Sequence, residues 1–220
     1  MRITKGFVTL LIAFLLSFSQ LGLASDGWDA AGGKKGVNLF TKTYAGESLK
    51  AFRGTKVFNK SIKQIYWVLS QKDPNFRKEW VDRLYISEPL EDAKSLGVPH
   101  SSVTYQAYDT PWPITNRDQV VKTQTERDGK NLIVTLKSTT HGKKPAADSV
   151  GVRMDLLFAI YNLKYLEDNK TEVTVSVRID PKGLIPNWFS NIIYKSWPVN
   201  TLNRLEKQAS KYSGQNVSMP

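Results

Sequence analysis

Few residues in this 220-residue chain have side chains that could do covalent chemistry. The sequence has no cysteine, which excludes thiolate catalysis and disulfide bonds. Its two histidines, His100 and His141, lie far apart in the sequence, next to the turn residues Pro99 and Gly142. A serine nucleophile needs such a base beside it, and no Gly-x-Ser-x-Gly motif occurs. The sequence therefore does not predict a hydrolase.

Metal and nucleotide sites also lack the residues they need. A zinc or iron site requires several His, Asp or Glu side chains at ligand spacing, which two distant histidines do not supply. We interpret the acidic cluster at residues 88 to 92 as a solvated loop rather than a calcium site. No glycine-rich phosphate loop precedes a helix. We therefore expect no metal and no cofactor.

An adjacent pair of opposite charges, Arg117 and Asp118, ends the stretch PWPITNRD and is the remaining candidate for acid and base chemistry. Pro111 and Pro113 favour extended backbone at a strand exit, which would pin Trp112 against the core or a cavity mouth. Side chains alternate along a strand, so Arg117 and Asp118 should point to opposite faces and not pair with each other. We expect one to face solvent and the other to face inward, where a buried charge needs a partner.

The hydrophobic pattern around these residues changes period along the chain. After a short helix or arm at residues 25 to 33, a hairpin is predicted from two strands, at residues 37 to 44 and 49 to 58. Three- and four-residue spacing then predicts a helix through Ile62 and Leu69 and a shorter one holding Phe76 and Trp80. Five more strands are predicted at residues 103 to 109, 119 to 127, 132 to 139, 152 to 165 and 172 to 180.

An amphipathic helix from Pro186 to Lys211, with a kink at Pro198, ends the pattern. At about 1.5 Å per residue it would be long enough to cross a small sheet. The order of elements predicts an α+β fold in which a curved antiparallel sheet wraps this helix. Sheet and helix would then be the two walls of an internal cavity. The strand at residues 152 to 165 is apolar on both faces, as expected for a strand between a core and a second apolar layer.

The first 24 residues have the composition of a secretory signal, with Arg2 and Lys5 before an apolar run and small residues up to Ala24. We expect cleavage after Ala24 and export to a bacterial periplasm. The net charge of +11 favours anionic partners such as membrane head groups. The basic residues are scattered, which does not favour nucleic-acid binding. Residues 214 to 220 are predicted to be a disordered tail.

Two motifs carry a resemblance to a known family. The run YDTPWPITNRDQV resembles the START domain family of lipid-transfer modules, in which Pro-Trp-Pro leads through a polar turn into Arg-Asp. The run DPKGLIPNWF is similar to the family's junction between the last strand and the C-terminal helix, and LKAFRG resembles its second strand. The resemblance covers residues 28 to about 209, which makes residues 25 to 213 a single START domain.

The resemblance implies a helix-grip fold, like that of START and Bet v 1 proteins, with a hydrophobic cavity for one lipid. It implies binding and transfer of a phospholipid or sterol-like ligand without catalysis or a cofactor, by a monomer that contacts membranes transiently. We chose the candidate ligand-binding residues by the face on which each should lie. They are Tyr105, Ala107, Trp112, Met154, Leu156, Phe158, Trp188, Ile192, Ile193 and Trp197, with Arg117 and Asp118 as possible inward polar groups.

Two other functions fit the same fold. An exported module could sense or sequester a lipid without transferring it. A polyketide cyclase or aromatase could use the cavity as a reaction vessel, with Arg53 or Arg117 acting beside Asp118 or Tyr161. For a transfer protein, the last helix and the loop Gly142 to Gly151 are the predicted gate.

Overall fold

The computed structural model describes residues 27–185 and 195–220 as an antiparallel sheet with helices on one face and at its edge. The strands are β1 Asp29–Lys34, β2 Val37–Lys42, β3 Ala51–Phe58, β4 Leu84–Glu91, β5 Ser101–Tyr108, β6 Arg117–Asp128, β7 Asn131–Ser138, β8 Val152–Arg153, β9 Asp155–Glu167 and β10 Lys170–Asp180. The helices are α1 Ile62–Ser70, α2 Pro74–Trp80, α3 Ala93–Leu96 and α4 Trp197–Ala209.

The strand order across the sheet is β1-β2-β3-β10-β9-β7-β6-β5-β4. All neighbours on this path are antiparallel, and the short β8 adds to the start of β6 in parallel. The predicted hairpin is present as β2 and β3, with Asn38 opposite Thr55. The predicted α+β fold, a curved antiparallel sheet with a C-terminal helix, is confirmed.

Local sequence signals set the starts of α1 and α2. Ser61 caps α1, because the Gln64 backbone N–H donates to Ser61 Oγ at 3.3 Å and the Ser61 N–H donates to Gln64 Oε1 at 2.9 Å. Asp73 caps α2 by accepting from the Phe76 N–H at 2.7 Å, and Pro74 occupies the first turn. Within the described ranges, no helix is long and apolar enough to cross a bilayer.

The main core lies between α4 and the face of the sheet against which it packs, here called the inner face. The alternation in β10 buries Val173 and Val175 completely, and α4 buries Leu202 and Leu205 above them. Two ion pairs hold α4 in place, Lys56–Glu206 at 2.6 Å and Arg204–Asp82 at 3.0 Å. A third, Lys211–Glu79 at 2.6 Å, holds the residues that directly follow α4.

Gly54 lies where α4 crosses closest to β3. A β-carbon there would lie 2.8 Å from Pro198 Cβ and 3.2 Å from Leu202 Cδ1. We expect Gly54→Ala to lower the free energy of unfolding by about 1–3 kcal/mol, because overpacking forces the helix away from the strand. Urea denaturation measures it, with Gly142→Ala, which meets nothing within 4 Å, as the control. Equal stability of both variants would show that α4 does not press on β3 as described.

Several predicted elements differ in the structure. Residues 25 to 33 were predicted as a helix or arm, but Asp29–Lys34 is a strand paired with β2. The acidic cluster at residues 88 to 92 was interpreted as a loop, yet most of it lies in β4, which pairs with β5 along its length. The single strand predicted at residues 152 to 165 is divided into β8 and β9. In each case strand pairing overrode the local composition.

Several predictions concern residues near the two ends of the chain. The signal sequence, the candidates Trp188, Ile192 and Ile193, and most of the first half of the predicted last helix lie outside the described residues. Pro198 lies in the first turn of α4, where a proline is well tolerated. We predicted a disordered tail after residue 213, whereas the structure places Val217 and Met219 against the main core.

Candidate functional site

A cavity lies between the inner face of the sheet, α2 and the start of α4. Its walls are mostly apolar, with Leu156 and Ala159 from β9, Val177 from β10, and Trp80 and Trp197 from the helices. Its volume is about 160 Å³. Two kinds of side chain line the cavity. Most of its walls are apolar, and its polar side chains come mainly from β5, β6 and α2, which are together called the polar end. An apolar pocket with a few polar groups is the usual form of a small-molecule site.

The polar end of the cavity contains the cation of Arg77, which α2 directs inward. Its Nε atom is buried and has no hydrogen-bond partner among the described residues. Burial lowers the pKa of Arg77, but a guanidinium remains charged in proteins. Burial also raises the pKa of Tyr108 to about 12, so this neighbouring hydroxyl is neutral. The cavity therefore presents a positive charge that an anionic group could neutralise.

Asp82 also lines the cavity, but its charge is already compensated. It is buried, and its carboxylate lies 3.0 Å from Arg204 Nη1 and accepts from Asn200 Nδ2 at 3.3 Å, both on α4. No cluster of three or more His, Asp or Glu side chains that could hold a metal ion occurs in residues 27–185 and 195–220. Neither His100 nor His141 is among the described residues that line the cavity.

Arg117 and Asp118 lie on opposite faces of β6, as the alternation predicted, but both are buried. Arg117 faces the cavity and donates from Nε to the Pro181 carbonyl at 2.9 Å, from Nη2 to the Lys182 carbonyl at 3.1 Å, and from Nη1 to the Thr115 carbonyl. The expectation that one of the pair would face solvent is wrong, since they are 4% and 0% exposed. Arg117 joins the turn before β6 to the loop after β10.

Asp118 lies on the outer side and is fully satisfied by four donors. Tyr105 Oη donates at 2.7 Å, Ser149 Oγ at 2.9 Å, the Val150 N–H at 3.1 Å and Arg153 Nε at 2.7 Å. Burial would raise the pKa of this carboxyl, but the hydrogen bonds together lower it below its ordinary value. Asp118 thus fastens the loop before β8 to the sheet.

The structure places some candidate ligand-binding residues at the cavity. Met154, Leu156 and Trp197 line it, together with Arg117. Whether any of them contacts a lipid stays a prediction.

Four other candidates lie elsewhere. Tyr105 and Ala107 are on the outer face of β5, in a small core with Val103 and Val120, so that the polar residues of β5 face the cavity instead. In β9, Leu157 is an extra residue without a partner, because Arg178 pairs with Phe158 and Ile179 pairs with Leu156. This bulge reverses the alternation of side chains, so Phe158 faces outward. Trp112 is 90% exposed at the tip of the turn.

The loop from Gly142 to Gly151, predicted as part of a gate, lies on the outer side of the sheet. Lys144 pairs with Glu88 of β4 at 2.6 Å, and Ser149 and Val150 donate to Asp118. None of its residues is among the described ones that line the cavity. The loop therefore does not line the described part of the cavity, and its role as a gate stays a prediction.

The candidate residues that sequence reasoning missed are the polar ones at the cavity end. They are Arg77, Gln106, Tyr108 and Gln119. In an amphipathic strand, polar side chains usually mark the face toward solvent, but these polar side chains face the cavity. A sequence signal did exist: Gln119 is two residues from Arg117, so both must share a face of β6.

Comparison with known proteins gives consistent results. A model of the START domain matches residues 21–215. An uncharacterized protein of Pseudomonas aeruginosa is 27% identical over 204 residues, covering 93% of this chain and 96% of its own length.

Solved structures share the fold. Human STARD10 superposes with a TM-score of 0.72 at 21% identity, covering 86% of this chain and 76% of its own. A STAR-related lipid transfer protein from Xanthomonas axonopodis gives 0.64 at 22% identity, covering 84% and 100%. The Zhui aromatase/cyclase of a Streptomyces species gives 0.53 at 9% identity, covering 74% and 94%. With the family model matching most of its length, the chain belongs to the START domain family.

Proposed function

We propose that this protein binds one lipid, phospholipid or sterol-like, in its internal cavity and transfers it between membranes without catalysis. The observation that carries the proposal is the cavity itself, apolar along its walls and holding the buried, unpartnered Nε of Arg77 at one end. Burying each methylene of a ligand stabilises the complex by about 0.8 kcal/mol, so an acyl chain suffices for retention. The cation favours a ligand whose head group bears anionic oxygen atoms.

The cavity must enlarge to take a whole lipid. Its volume of about 160 Å³ is below the roughly 300–1,000 Å³ of ordinary small-molecule pockets. We expect the walls to move apart on binding, which gives the protein a closed state without ligand and an expanded state with it. Such a movement would have to stretch or break the ion pairs that hold α4 and the residues directly after it.

A transient membrane contact is supported by exposed apolar residues near the start of β6. Trp112 is 90% exposed, Leu184 97% and Val150 47%, each on a different loop. Arg117 and Asp118 hold these three loops together through the hydrogen bonds described above. A tryptophan at such a tip suits the boundary between head groups and acyl chains.

The predicted location of the transfer is the periplasm. It depends on residues 1–24, whose basic start, apolar run and small residues have the composition of an export signal. Detection of the mature chain, beginning at Ser25, in a periplasmic extract is the direct test.

A vesicle assay distinguishes transfer from simple binding. Donor vesicles carry a fluorescent phospholipid with a quencher, and dequenching on addition of acceptor vesicles and protein reports transfer. We expect the wild type to accelerate it and Trp112→Ser to slow it several-fold while still binding lipid, because the exposed ring serves membrane contact rather than the cavity. A sensing or sequestering protein would bind the fluorescent lipid and give no acceleration, and that result would overturn the transfer proposal.

A further inference from the structure

Gln106, Tyr108 and Gln119 form a hydrogen-bonded cluster on the inner face of β5 and β6. Tyr108 Oη donates to Gln106 Oε1 at 2.6 Å. Gln119 Nε2 donates to Gln106 Oε1 at 2.9 Å and to Tyr108 Oη at 3.0 Å. Gln106 and Gln119 are direct cross-strand partners, and all three residues line the cavity. The register of the two strands therefore fixes the cluster.

Tyr108 and Gln119 use all of their side-chain donors within this cluster. Tyr108 has one hydroxyl proton and gives it to Gln106, so its oxygen accepts from Gln119. The side-chain amide of Gln119 has two N–H donors, and both are engaged. On Gln119 this leaves the carbonyl oxygen, an acceptor.

That oxygen, Gln119 Oε1, is buried and has no hydrogen-bond partner among the described residues. The whole residue is 3% exposed, and it lines the cavity. A buried acceptor without a donor is unfavourable, and buried side-chain oxygens in folded proteins nearly always have one. A hydroxyl or an amine of a ligand could donate the missing hydrogen bond to this oxygen, so no arginine or lysine is needed.

The unpartnered oxygen of Gln119 and the unpartnered Nε of Arg77 belong to the same end of the cavity. The charge of Arg77 acts on Tyr108, whose pKa it lowers against the larger raising effect of burial. Tyr108 Oη in turn lies 3.0 Å from Gln119 Nε2. One ligand head group could therefore meet both residues, with an anionic oxygen at Arg77 and a donor at Gln119.

We propose that the lipid held here has a head group that bears an anionic phosphate oxygen and also a hydrogen-bond donor, a hydroxyl or a protonated amine, which donates to Gln119 Oε1. This inference rests on the proposed lipid-binding function and narrows its ligand. A trimethylated ammonium head group has no N–H, so it would leave the Gln119 oxygen buried and unpaired. Gln119 is then the residue that selects among phospholipids with the same acyl chains.

The test is a methylation series with constant acyl chains. Dioleoyl phosphatidylethanolamine and its mono-, di- and trimethylated forms compete for the delipidated protein, and native mass spectrometry measures the bound fraction of each. Dioleoyl phosphatidylglycerol supplies a hydroxyl donor in place of the amine. We expect the wild type to bind the first three amines comparably and the trimethylated lipid about tenfold more weakly, since only the last step removes the final N–H.

Two variants show which residue is responsible. Gln119→Leu removes the acceptor and should abolish the drop at the last methylation. Gln124→Leu is the matched control, because Gln124 lies on the same strand, outside the cavity lining, and bonds to Glu126; it should keep the drop. Thermal unfolding confirms that both variants fold, and a Gln119→Met variant, which also lacks the carbonyl oxygen, replaces Gln119→Leu if the latter does not.

The outcomes separate this inference from the proposed function. A tenfold preference that disappears in the Gln119 variant supports the inference, with the amine as donor; preference for phosphatidylglycerol alone supports it with a hydroxyl donor. Equal binding of the trimethylated lipid by the wild type, or a preference that survives in Gln119→Leu, overturns the inference while lipid binding stands. Binding of none of these phospholipids overturns both the inference and the phospholipid form of the proposed function.

Discussion

Replacing Asp118 with alanine is expected to lower the free energy of unfolding by about 3–5 kcal/mol. The carboxylate is 0% exposed and accepts from four donors, so its loss leaves buried donors without a partner. Arg153 is the charged partner, with a side chain 21% exposed, which places the expected value toward the lower end of that range. Urea denaturation of the two proteins measures the difference.

A matched control and a pH series identify the cause. Asp128→Ala removes an exposed carboxylate from the far end of the same strand and should change stability by less than about 0.5 kcal/mol.

The hydrogen bonds hold the pKa of Asp118 below the value of about 3.9 that it has in the unfolded chain. Its contribution is therefore present above pH 4 and lost as the pH falls through the folded-state pKa.

The Asn variant completes this prediction. In Asp118→Asn the stability lost at neutral pH should shrink as the pH falls from about 4 through the folded-state pKa, because the unfolded chain is protonated first and the folded wild-type carboxylate only below its own pKa. A gap between wild type and variant that stays constant from pH 7 to pH 2 would show that the charge of Asp118 does not stabilise the junction of these loops.

The second large effect is expected on ligand binding. Arg77→Met should weaken the binding of dioleoyl phosphatidylglycerol by about 10–100-fold, because it removes the charged donor at the polar end of the cavity. Stability should not fall by a comparable amount, since methionine fills similar volume and removes a half-buried cation whose buried Nε is unpartnered among the described residues. Quenching of tryptophan fluorescence by a brominated analogue of the lipid measures affinity, as Trp80 and Trp197 line the cavity.

Lys78→Met is the control for this variant. Lys78 follows Arg77 on α2 but is exposed and absent from the cavity lining. It should bind the lipid as the wild type does. If both variants lose affinity alike, the cause is general surface charge; if neither does, Arg77 has no part in binding.

The fold was largely predictable because its strongest patterns are local. The alternation of Val173, Val175 and Val177 placed β10, and the break at Asp73-Pro74 placed α2. β4 was missed because its acidic residues suit a loop, and pairing with β5 is a tertiary contact that the local sequence does not show. β1 was missed for a similar reason, since its glycines do not favour a strand.

The candidate site was predicted less well, because the sequence shows that side chains alternate along a strand but not which of the two faces lines the cavity. In β5 the apolar residues Tyr105 and Ala107 pack in an outer core, so the polar Gln106 and Tyr108 face the cavity. In β9 a single extra residue, Leu157, turned Phe158 outward. Met154, Leu156 and Trp197, chosen by their expected facing, do line the cavity, whereas the sequence left open which of Arg117 and Asp118 points into it.

The most direct test of lipid binding is native mass spectrometry of the purified protein, followed by extraction and identification of any bound molecule. We expect one lipid per chain, lost on denaturation and reloaded from vesicles. A protein that purifies without lipid and takes up none from vesicles, while remaining folded, would contradict the central claim that the cavity is a lipid site.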